Sequence, residues 1–359
     1  MRRKAMVAAA TVAACGAGAI AVATPAEAAA WRNVGGKAVA YNGTLDRVDF
    51  ADKGAGWAVG SQGSILSPKT MIVRWNGTAW ARQASPVGLV PTGVAAAGAK
   101  RAWIVGFNLA DRTVGLYWNG TKWSKVSYPT VGMPFMVSAG RDGTAYSLAG
   151  IDSSAGGLSS VLRWNGKAWV KINVPLPPSS SVTAVQVRGK NDVWLAGTTT
   201  DGIGVTAFML RWDGKSWKRI DVPGSMGTPA YRAVMHRIVV ASPTNVYLDR
   251  VSQTAQLPNA LMRWNGKTWK TINTPLNAAG LAMSSDGKSG VVIIPVTTGN
   301  RSQYMHYNGS AWRTLNGPVR NGAKVQGGDL DHRPGTPGIV GVGAAAAQNK
   351  SSPFIEYFG

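Results

Sequence analysis

The sequence has very little cysteine and histidine, and it lacks the clusters that mark most catalytic or metal sites. Its single cysteine, Cys15, lies near the N-terminus, so the chain beyond it has no thiol for a disulfide, a nucleophile or a metal. The three histidines form no Ser-His-Asp order or His-x-x-x-His spacing, and no carboxylates pair along the chain. These absences favour a protein that is not an enzyme and has no cofactor or metal.

Long apolar runs are also missing, except at the N-terminus. Beyond that segment no run approaches the about 18 residues that span a bilayer. Residues 2–4 are basic, an Ala- and Val-rich stretch follows, and residues 24–28 end in the small-x-small pattern of a cleavage site. We therefore expect residues 1–30 to be a signal peptide, cleaved after Ala28 or Ala30, and the mature protein to be secreted.

Two other interpretations of this segment stay open. Residues 12–15 resemble a bacterial lipobox, which would anchor the protein through a lipid on Cys15. The apolar run continues past that residue to Ile20 and Val22, which favours a cleaved signal. The Arg2-Arg3 pair could also begin a twin-arginine signal, although the rest of that motif is weak.

Acidic residues are scarce. The chain has 38 Lys and Arg against 16 Asp and Glu, a net charge of +22. Without residues 1–30 the counts become 35 and 15, so the excess persists in the mature part. A positive field of this size favours anionic partners, such as teichoic acid, acidic polysaccharide, DNA or anionic membrane, unless it serves solubility alone.

One short phrase recurs at intervals of 43 to 52 residues. An aromatic residue is followed by Asn-Gly, or once Asp-Gly, and by a Trp five positions after that aromatic. The phrase begins at Trp75, Trp118, Trp164, Trp212, Trp264 and Tyr307, and a shortened seventh copy begins at Tyr357. Asn-Gly between apolar strands indicates a tight hairpin, because both residues tolerate positive φ.

Two more strands precede each hairpin. One contains, in successive repeats, Trp57, Trp103, Tyr146, Trp194, Tyr247, Val292 and Val340, and a small apolar strand lies upstream of it. Four strands repeated with this period predict the blades of a β-propeller.

The seventh blade is divided between the two ends of the chain. The C-terminal residues 356–359 fit the first half of the phrase, and Trp31 with residues 32–34 fits its second half. The sequence thus predicts one all-β domain over residues 31–359, a seven-bladed β-propeller closed by pairing of the N- and C-terminal strands. Closure removes the free edges of an open array.

The repeat resembles secreted bacterial β-propellers of the broad kelch and galactose-oxidase-central-domain type. The resemblance covers nearly the whole mature chain and implies architecture only. The kelch Gly-Gly pair is missing, and Asn76 stands one residue too close to Gly77 for a sialidase Asp-box. The copper chemistry of galactose oxidase needs a cysteine-linked tyrosine and does not carry over.

All fifteen tryptophans lie at repeat positions, which favours packing between blades over sugar stacking. The outer strands also share a feature, since each has Lys or Arg within two residues of its Trp. We expect these residues to girdle the propeller and bind a polyanion, or to protect the outer edges from pairing with other molecules. They are Arg32, Arg82, Lys125, Lys171, Arg219, Lys270 and Arg313.

Loops of variable length lie on the face opposite the hairpin turns, where recognition usually takes place. They include residues 61–70, 107–113, 151–159, 198–206 and 251–259. We expect an exported binding module for a glycan or an anionic cell-envelope polymer, with this face open to a protein partner. The alternatives are a polysaccharide hydrolase or lyase with its site in the axial funnel, near Asp49, Asp329 and Asp331, and a scaffold subunit of a secreted assembly.

Overall fold

The computed structural model describes residues 30–129, 132–150, 159–252, 257–275 and 280–359. Residues 1–29, which are the predicted signal peptide except for its last residue and which contain Cys15, lie outside these ranges, as do residues 151–158 and 253–256 of two variable loops. None of the helices in the described ranges is long and apolar enough to cross a bilayer.

The described chain forms seven four-stranded antiparallel sheets, which confirms the predicted propeller. Blades 1 to 7 have inner strands β2 (Arg47–Asp52), β6 (Val90–Gly98), β10 (Met133–Ala139), β14 (Ser180–Gly189), β18 (Ala233–Ser242), β22 (Gly280–Ser285) and β26 (Lys324–His332). Their second strands are β3 (Ala55–Gln62), β7 (Arg101–Phe107), β11 (Ala145–Gly150), β15 (Asp192–Thr200), β19 (Asn245–Ser252), β23 (Val291–Pro295) and β27 (Ile339–Ala347).

The hairpin phrase supplies the other two strands of each blade. The third strands are β4 (Lys69–Trp75), β8 (Val114–Trp118), β12 (Ser159–Trp164), β16 (Val205–Trp212), β20 (Ala260–Trp264), β24 (Arg301–Tyr307) and β28 (Lys350–Phe358). The outer strands are β5 (Trp80–Gln83), β9 (Trp123–Val126), β13 (Trp169–Lys171), β17 (Trp217–Ser225), β21 (Trp269–Asn273), β25 (Trp312–Val319) and β1 (Trp31–Asn33). A 3-10 turn, Gly36–Val39, follows β1.

The ring closes as predicted. β1 pairs with β28, with Trp31 opposite Phe358 and Arg32 opposite Tyr357. The inner strand of blade 7 also contacts that of blade 1, as consecutive inner strands do elsewhere. The Trp31 ring stacks on Tyr304 of blade 6 at a centroid distance of 3.6 Å, so the N-terminal strand joins two blades.

The tryptophans fill the gaps between blades. Trp57 of blade 1 is fully buried and meets Trp118 and Trp123 of blade 2 edge-on, at 5.0 and 4.9 Å. The guanidinium of Arg74 lies over two of these rings, Trp57 and Trp118, where a cation is attracted to the aromatic face. Trp57, Trp118 and Trp123 thus pack between blades, as the repeat positions predict.

The Asn-Gly hairpins follow from side-chain chemistry. The Asn76 Oδ1 accepts the backbone N–H groups of Thr78 and Ala79, and Gly77 takes a φ of 104° that favours glycine. These turns and the turns from inner to second strands form one side of the disc, the short-turn face. The loops between second and third strands and the links between blades form the other side, the loop face.

Candidate functional site

The inner strands of all seven blades enclose an axial cavity of about 560 Å³. Because each inner strand runs from the loop face to the short-turn face, Arg47 and Asp329 lie toward the loop face. Arg141 and Lys288 lie toward the opposite end. The cavity is therefore lined by side chains of both charge signs. Whether it could be a catalytic site depends on its three aspartates, Asp49, Asp329 and Asp331.

Most of the polar side chains in the wall bind the next blade. Each second strand contains one residue of the repeat, from Trp57 in blade 1 to Val340 in blade 7, and one inner-strand residue lies opposite it in the sheet. Five of these seven inner-strand residues are polar. Each polar side chain accepts a backbone N–H from the next inner strand. The pairs are Asp49 with Ala96 (2.6 Å), Ser138 with Val187 (2.9 Å), Gln186 with Val240 (2.5 Å), Ser284 with His332 (3.0 Å) and Asp331 with Phe50 (2.8 Å).

We call these five bonds the inter-blade latches. Ala95 and Val239 occupy the other two positions and have no side-chain acceptor. The sequence analysis saw only small apolar inner strands with three aspartates as exceptions. The latch positions differ in residue type and two of the seven are apolar, so no single residue pattern in the sequence marks them.

The three aspartates of the axial cavity, Asp49, Asp329 and Asp331, which we call the channel aspartates, all accept backbone N–H groups from a neighbouring blade. Asp329 accepts the N–H of Val48 at 3.2 Å and so also joins blade 7 to blade 1. Burial raises the pKa of Asp49 to about 7, against the hydrogen bond from Ala96, and the charge of Asp329 raises it further. Burial and the nearby Asp49 raise the pKa of Asp331. These carboxyl groups act as structural acceptors between blades, which does not favour the hydrolase or lyase alternative.

No group of three or more His, Cys, Asp or Glu in the described ranges is placed to hold a metal ion. One histidine has a clear structural partner. The Nε2 of His306 lies 2.9 Å from the Asp286 carboxylate, and its Nδ1 accepts a hydrogen bond from Arg313.

The seven predicted belt residues are all exposed, one on the outer strand of each blade, so the fold spreads them around the wall. Lys125 pairs with Asp111 and Arg219 with Asp221, both at 2.7 Å. Such exposed pairs contribute only about 0–1 kcal/mol each.

Three belt arginines bind within the chain as well. Arg32 donates to the Gly359 carbonyl, Arg82 to the carbonyls of Ala38 and Ala40, and Arg313 to His306. Lys171 and Lys270 are exposed, and no contact of their ammonium groups is present among the described residues. That the belt binds a ligand remains a prediction. Three of its arginines also make hydrogen bonds within the chain at the outer wall.

The loop face has an apolar character that the sequence analysis missed. All the large hydrophobic side chains that are exposed in the described ranges lie there. They are Ile65, Leu66, Leu109, Met133, Ile203, Tyr231, Val296 and Val319. Leu66 is 72% exposed and Ile203 is 83% exposed, at loop tips of blades 1 and 4.

No protein-family profile and no curated protein sequence matches the chain significantly. Among solved structures it is similar to "YCF48 bound to D1 peptide", with 14% identity, a TM-score of 0.55, and coverage of 94% of this chain and 97% of that one. It is also similar to the polysaccharide lyase Uly1, with 11% identity, a TM-score of 0.57, and coverage of 89% and 90%.

A third similar structure is the six-bladed fucose lectin of Aleuria aurantia, with 14% identity, a TM-score of 0.51, and coverage of 78% of this chain and 96% of that one. Identities this low show a shared propeller fold and nothing about the ligand. The function must therefore be argued from this chain's own surface.

Proposed function

We propose that this chain is an exported, non-catalytic β-propeller, of the broad kelch and galactose-oxidase-central-domain kind, that binds a glycan or an anionic polymer of the cell envelope. One observation carries the proposal. The outer wall and the short-turn face present exposed Lys and Arg side chains, whereas the channel aspartates are engaged between blades. The surface is thus suited to hold a polyanion, and the three aspartates of the axial cavity already accept hydrogen bonds between blades.

The decisive test is an array of glycans and cell-wall polymers, probed at low and moderate salt. Binding of a polyanion releases its counterions, so affinity should fall steeply as salt rises. Failure to bind any anionic polymer at low salt would refute the polyanion form of the proposal, and failure to bind any glycan as well would refute the whole.

The belt needs its own variant, with Gln in place of Arg32, Arg82, Lys125, Lys171, Arg219, Lys270 and Arg313. If the belt binds the polymer, this variant loses affinity and remains soluble. If the belt protects edges, the variant aggregates and its affinity stays that of the parent, as light scattering and binding would show together.

The lyase and the lectin among the similar structures act on or recognise carbohydrate, but this likeness supports the fold alone. An enzyme alternative predicts that acidic polysaccharides become shorter on incubation with the protein. We expect no change in chain length, measured by size-exclusion chromatography.

A second candidate function is that of a subunit in a secreted assembly, and the apolar loop face favours it. Exposed aliphatic side chains collected on one face are typical of a contact surface. A variant with Leu66→Ser and Ile203→Ser should then elute as a free chain from the producing cell's medium, while the parent elutes in a larger complex. Co-elution of both at the free-chain volume would exclude this candidate.

Export itself is tested by sequencing the N-terminus of protein recovered from the medium. We expect a start between Ala29 and Trp31, beside the first strand. A chain that begins at a lipid-modified Cys15 would contradict the proposal of a freely secreted protein.

A further inference from the structure

The short-turn face carries a set of lysines that the belt does not include. Four lie in turns from inner to second strands, and four lie in the hairpin turns. The first group is Lys53, Lys100, Lys190 and Lys288, and the second is Lys122, Lys167, Lys215 and Lys267. We call them the short-turn lysines; they occur on six of the seven blades.

All eight side chains are exposed. None of their ammonium groups makes a hydrogen bond or an ion pair with the described residues. The aspartates in the same turns are engaged instead. Asp142 accepts backbone N–H groups of Thr144 and Lys190, Asp213 pairs with Lys218, and Asp286 pairs with His306. The charge of the short-turn lysines is therefore available to a partner.

The hairpin turns hold these lysines at fixed places. The Asn165 Oδ1 accepts the backbone N–H groups of Lys167 and Ala168 at 2.9 and 2.8 Å. Asp213 binds the N–H of Lys215 in the same way, at 2.9 Å. The Cα positions of the lysines are thus set by the scaffold, and only the side chains remain to be ordered.

In blades 2 and 4 the two turns touch and each turn carries a short-turn lysine, so two of these lysines lie near one another there. A Cβ built on Gly120 would lie 3.3 Å from the Lys100 side chain, which places Lys100 beside the turn that bears Lys122. In blade 4, Gly214 similarly adjoins Asn191, next to Lys190. Like charges held close together repel one another, and this repulsion opposes the compact state.

Folding does not require lysine at these places. Thr78 and Ser310 occupy the position of Lys167 in other blades, and each donates its hydroxyl to the turn asparagine, at 3.0 and 2.8 Å. In these two blades the hydroxyl gives the turn a hydrogen bond that lysine does not supply. The repeated use of lysine, at the cost of repulsion, needs an explanation outside the fold.

We propose that the short-turn lysines bind a flexible polyol-phosphate polymer of the cell envelope, which lies across this face. This inference rests on the proposed function and names its surface and its ligand class. Lysine binds phosphate as a point charge, without the planar two-point geometry of arginine. Among the described residues the exposed large hydrophobics all lie on the loop face. The tryptophans beside the short turns, such as Trp75 and Trp212, are only partly exposed, and each donates its indole N–H to a backbone carbonyl of a short-turn lysine. The lysines are therefore the more accessible groups of this face.

The test compares two variants of equal charge change. The short-turn variant replaces Lys53, Lys100, Lys122, Lys167, Lys190, Lys215 and Lys267 by Gln, and the belt variant replaces its seven residues by Gln. Affinity for poly(glycerol phosphate) is measured at about 50 and 200 mM salt. Six to ten phosphate contacts on duplex DNA would change affinity by about 10³–10⁵-fold over this range, and a single-stranded polymer of lower charge density should show a shallower fall in the same direction. We expect the short-turn variant to lose at least about 100-fold at the lower salt and most of its salt dependence, and to lose clearly more than the belt variant does.

Each other outcome has a definite meaning. If only the belt variant loses affinity, this inference is wrong and the proposed function stands. If the parent binds no anionic polymer, this inference and the polyanion form of the proposed function both fail. Tighter binding of the parent to duplex DNA, polygalacturonate or anionic vesicles than to poly(glycerol phosphate), at equal charge concentration, overturns the ligand class. If the seven-fold variant does not fold, the triple variant Lys167→Thr, Lys215→Thr and Lys267→Ser replaces it, and an unchanged affinity there overturns the inference.

Discussion

The guanidinium of Arg320 lies 2.6 Å from the carboxylate of Glu356, whose side chain is fully buried. Glu356 also accepts hydrogen bonds from Ser302 and Tyr304 of blade 6. Arg320 lies in the link from blade 6 to blade 7 and donates to Asn33 of the N-terminal strand at 2.7 Å. One buried ion pair therefore joins the last two blades and the strand that closes the ring.

Removing one partner of this pair should be far more damaging than removing both. Arg320→Met leaves the Glu356 charge buried without a counterion, which typically costs about 3–5 kcal/mol. The double variant Arg320→Met with Glu356→Gln keeps an acceptor for Ser302 and Tyr304 and should lose only about 1–2 kcal/mol. Urea unfolding of the three proteins measures these differences; equal losses in the single and double variants would contradict this account.

The N-terminal strand should stabilise the whole domain. A chain that lacks residues 1–33 loses β1 and with it Trp31, which is buried and stacked on Tyr304. Loss of a buried Trp alone costs about 3–5 kcal/mol, so a marked fall in melting temperature is expected. The matched control lacks only residues 1–29 and should melt as the parent does. Identical melting of the two truncated chains would show that closure contributes nothing.

The fold could be predicted because the blade repeats, so each hairpin phrase independently indicated the same unit. The split of the seventh blade could be predicted because the first half of its hairpin phrase lies at Tyr357 and the second half at Trp31. The inter-blade latches could not be predicted from the repeat, because side chains as different as Asp49, Ser138 and Gln186 all accept a backbone N–H from the next blade. A pattern of residue identity cannot reveal a position whose only constant is a hydrogen-bond acceptor.

The candidate site was harder to predict than the fold. Basic residues near each outer Trp were evident, but their partners, such as Asp111 beside Lys125, depend on loops that come together only in three dimensions. Lys167, which follows Asn165-Gly166, belongs to no motif that the sequence analysis identified. Its significance emerges only when turns from six blades are seen to share one face.

The latch aspartates predict how stability depends on pH. The pKa of Asp49 is about 7 in the folded protein, above the ordinary 3.8, so the folded state binds this proton more tightly than the unfolded chain. Its stabilising effect is complete below pH 3.8 and disappears as the pH rises through 7. The raised pKa values of Asp329 and Asp331 act in the same direction.

Asp49→Asn keeps an acceptor for Ala96 but cannot ionise. Its free energy of unfolding should therefore exceed that of the parent by an amount that grows from pH 5 to pH 8, at most about 1.4 kcal/mol per pH unit for one proton. Gln186→Ala is the control, because it removes a latch without a titrating group and should lower stability equally at each pH. Parallel curves for the parent and Asp49→Asn would show that this carboxyl group does not titrate in that range.

The hairpin turns predict a gain in stability from replacing lysine. In the turn of blade 1, the Thr78 hydroxyl donates to Asn76 at 3.0 Å, whereas Lys167 in the same place of blade 3 cannot bridge back to Asn165. Lys167→Thr should add this hydrogen bond and lower the net positive charge of a strongly basic chain by one, which together raise the free energy of unfolding by about 0.5 kcal/mol. Lys167→Val has nearly the shape of threonine without its hydroxyl, so it separates the two effects. Thermal melting at low and high salt measures both: the charge contribution should disappear at high salt, and the difference between Thr and Val should remain. If the Lys167→Thr and Lys167→Val variants are equally stable, the hydroxyl hydrogen bond contributes nothing to the stability of the turn.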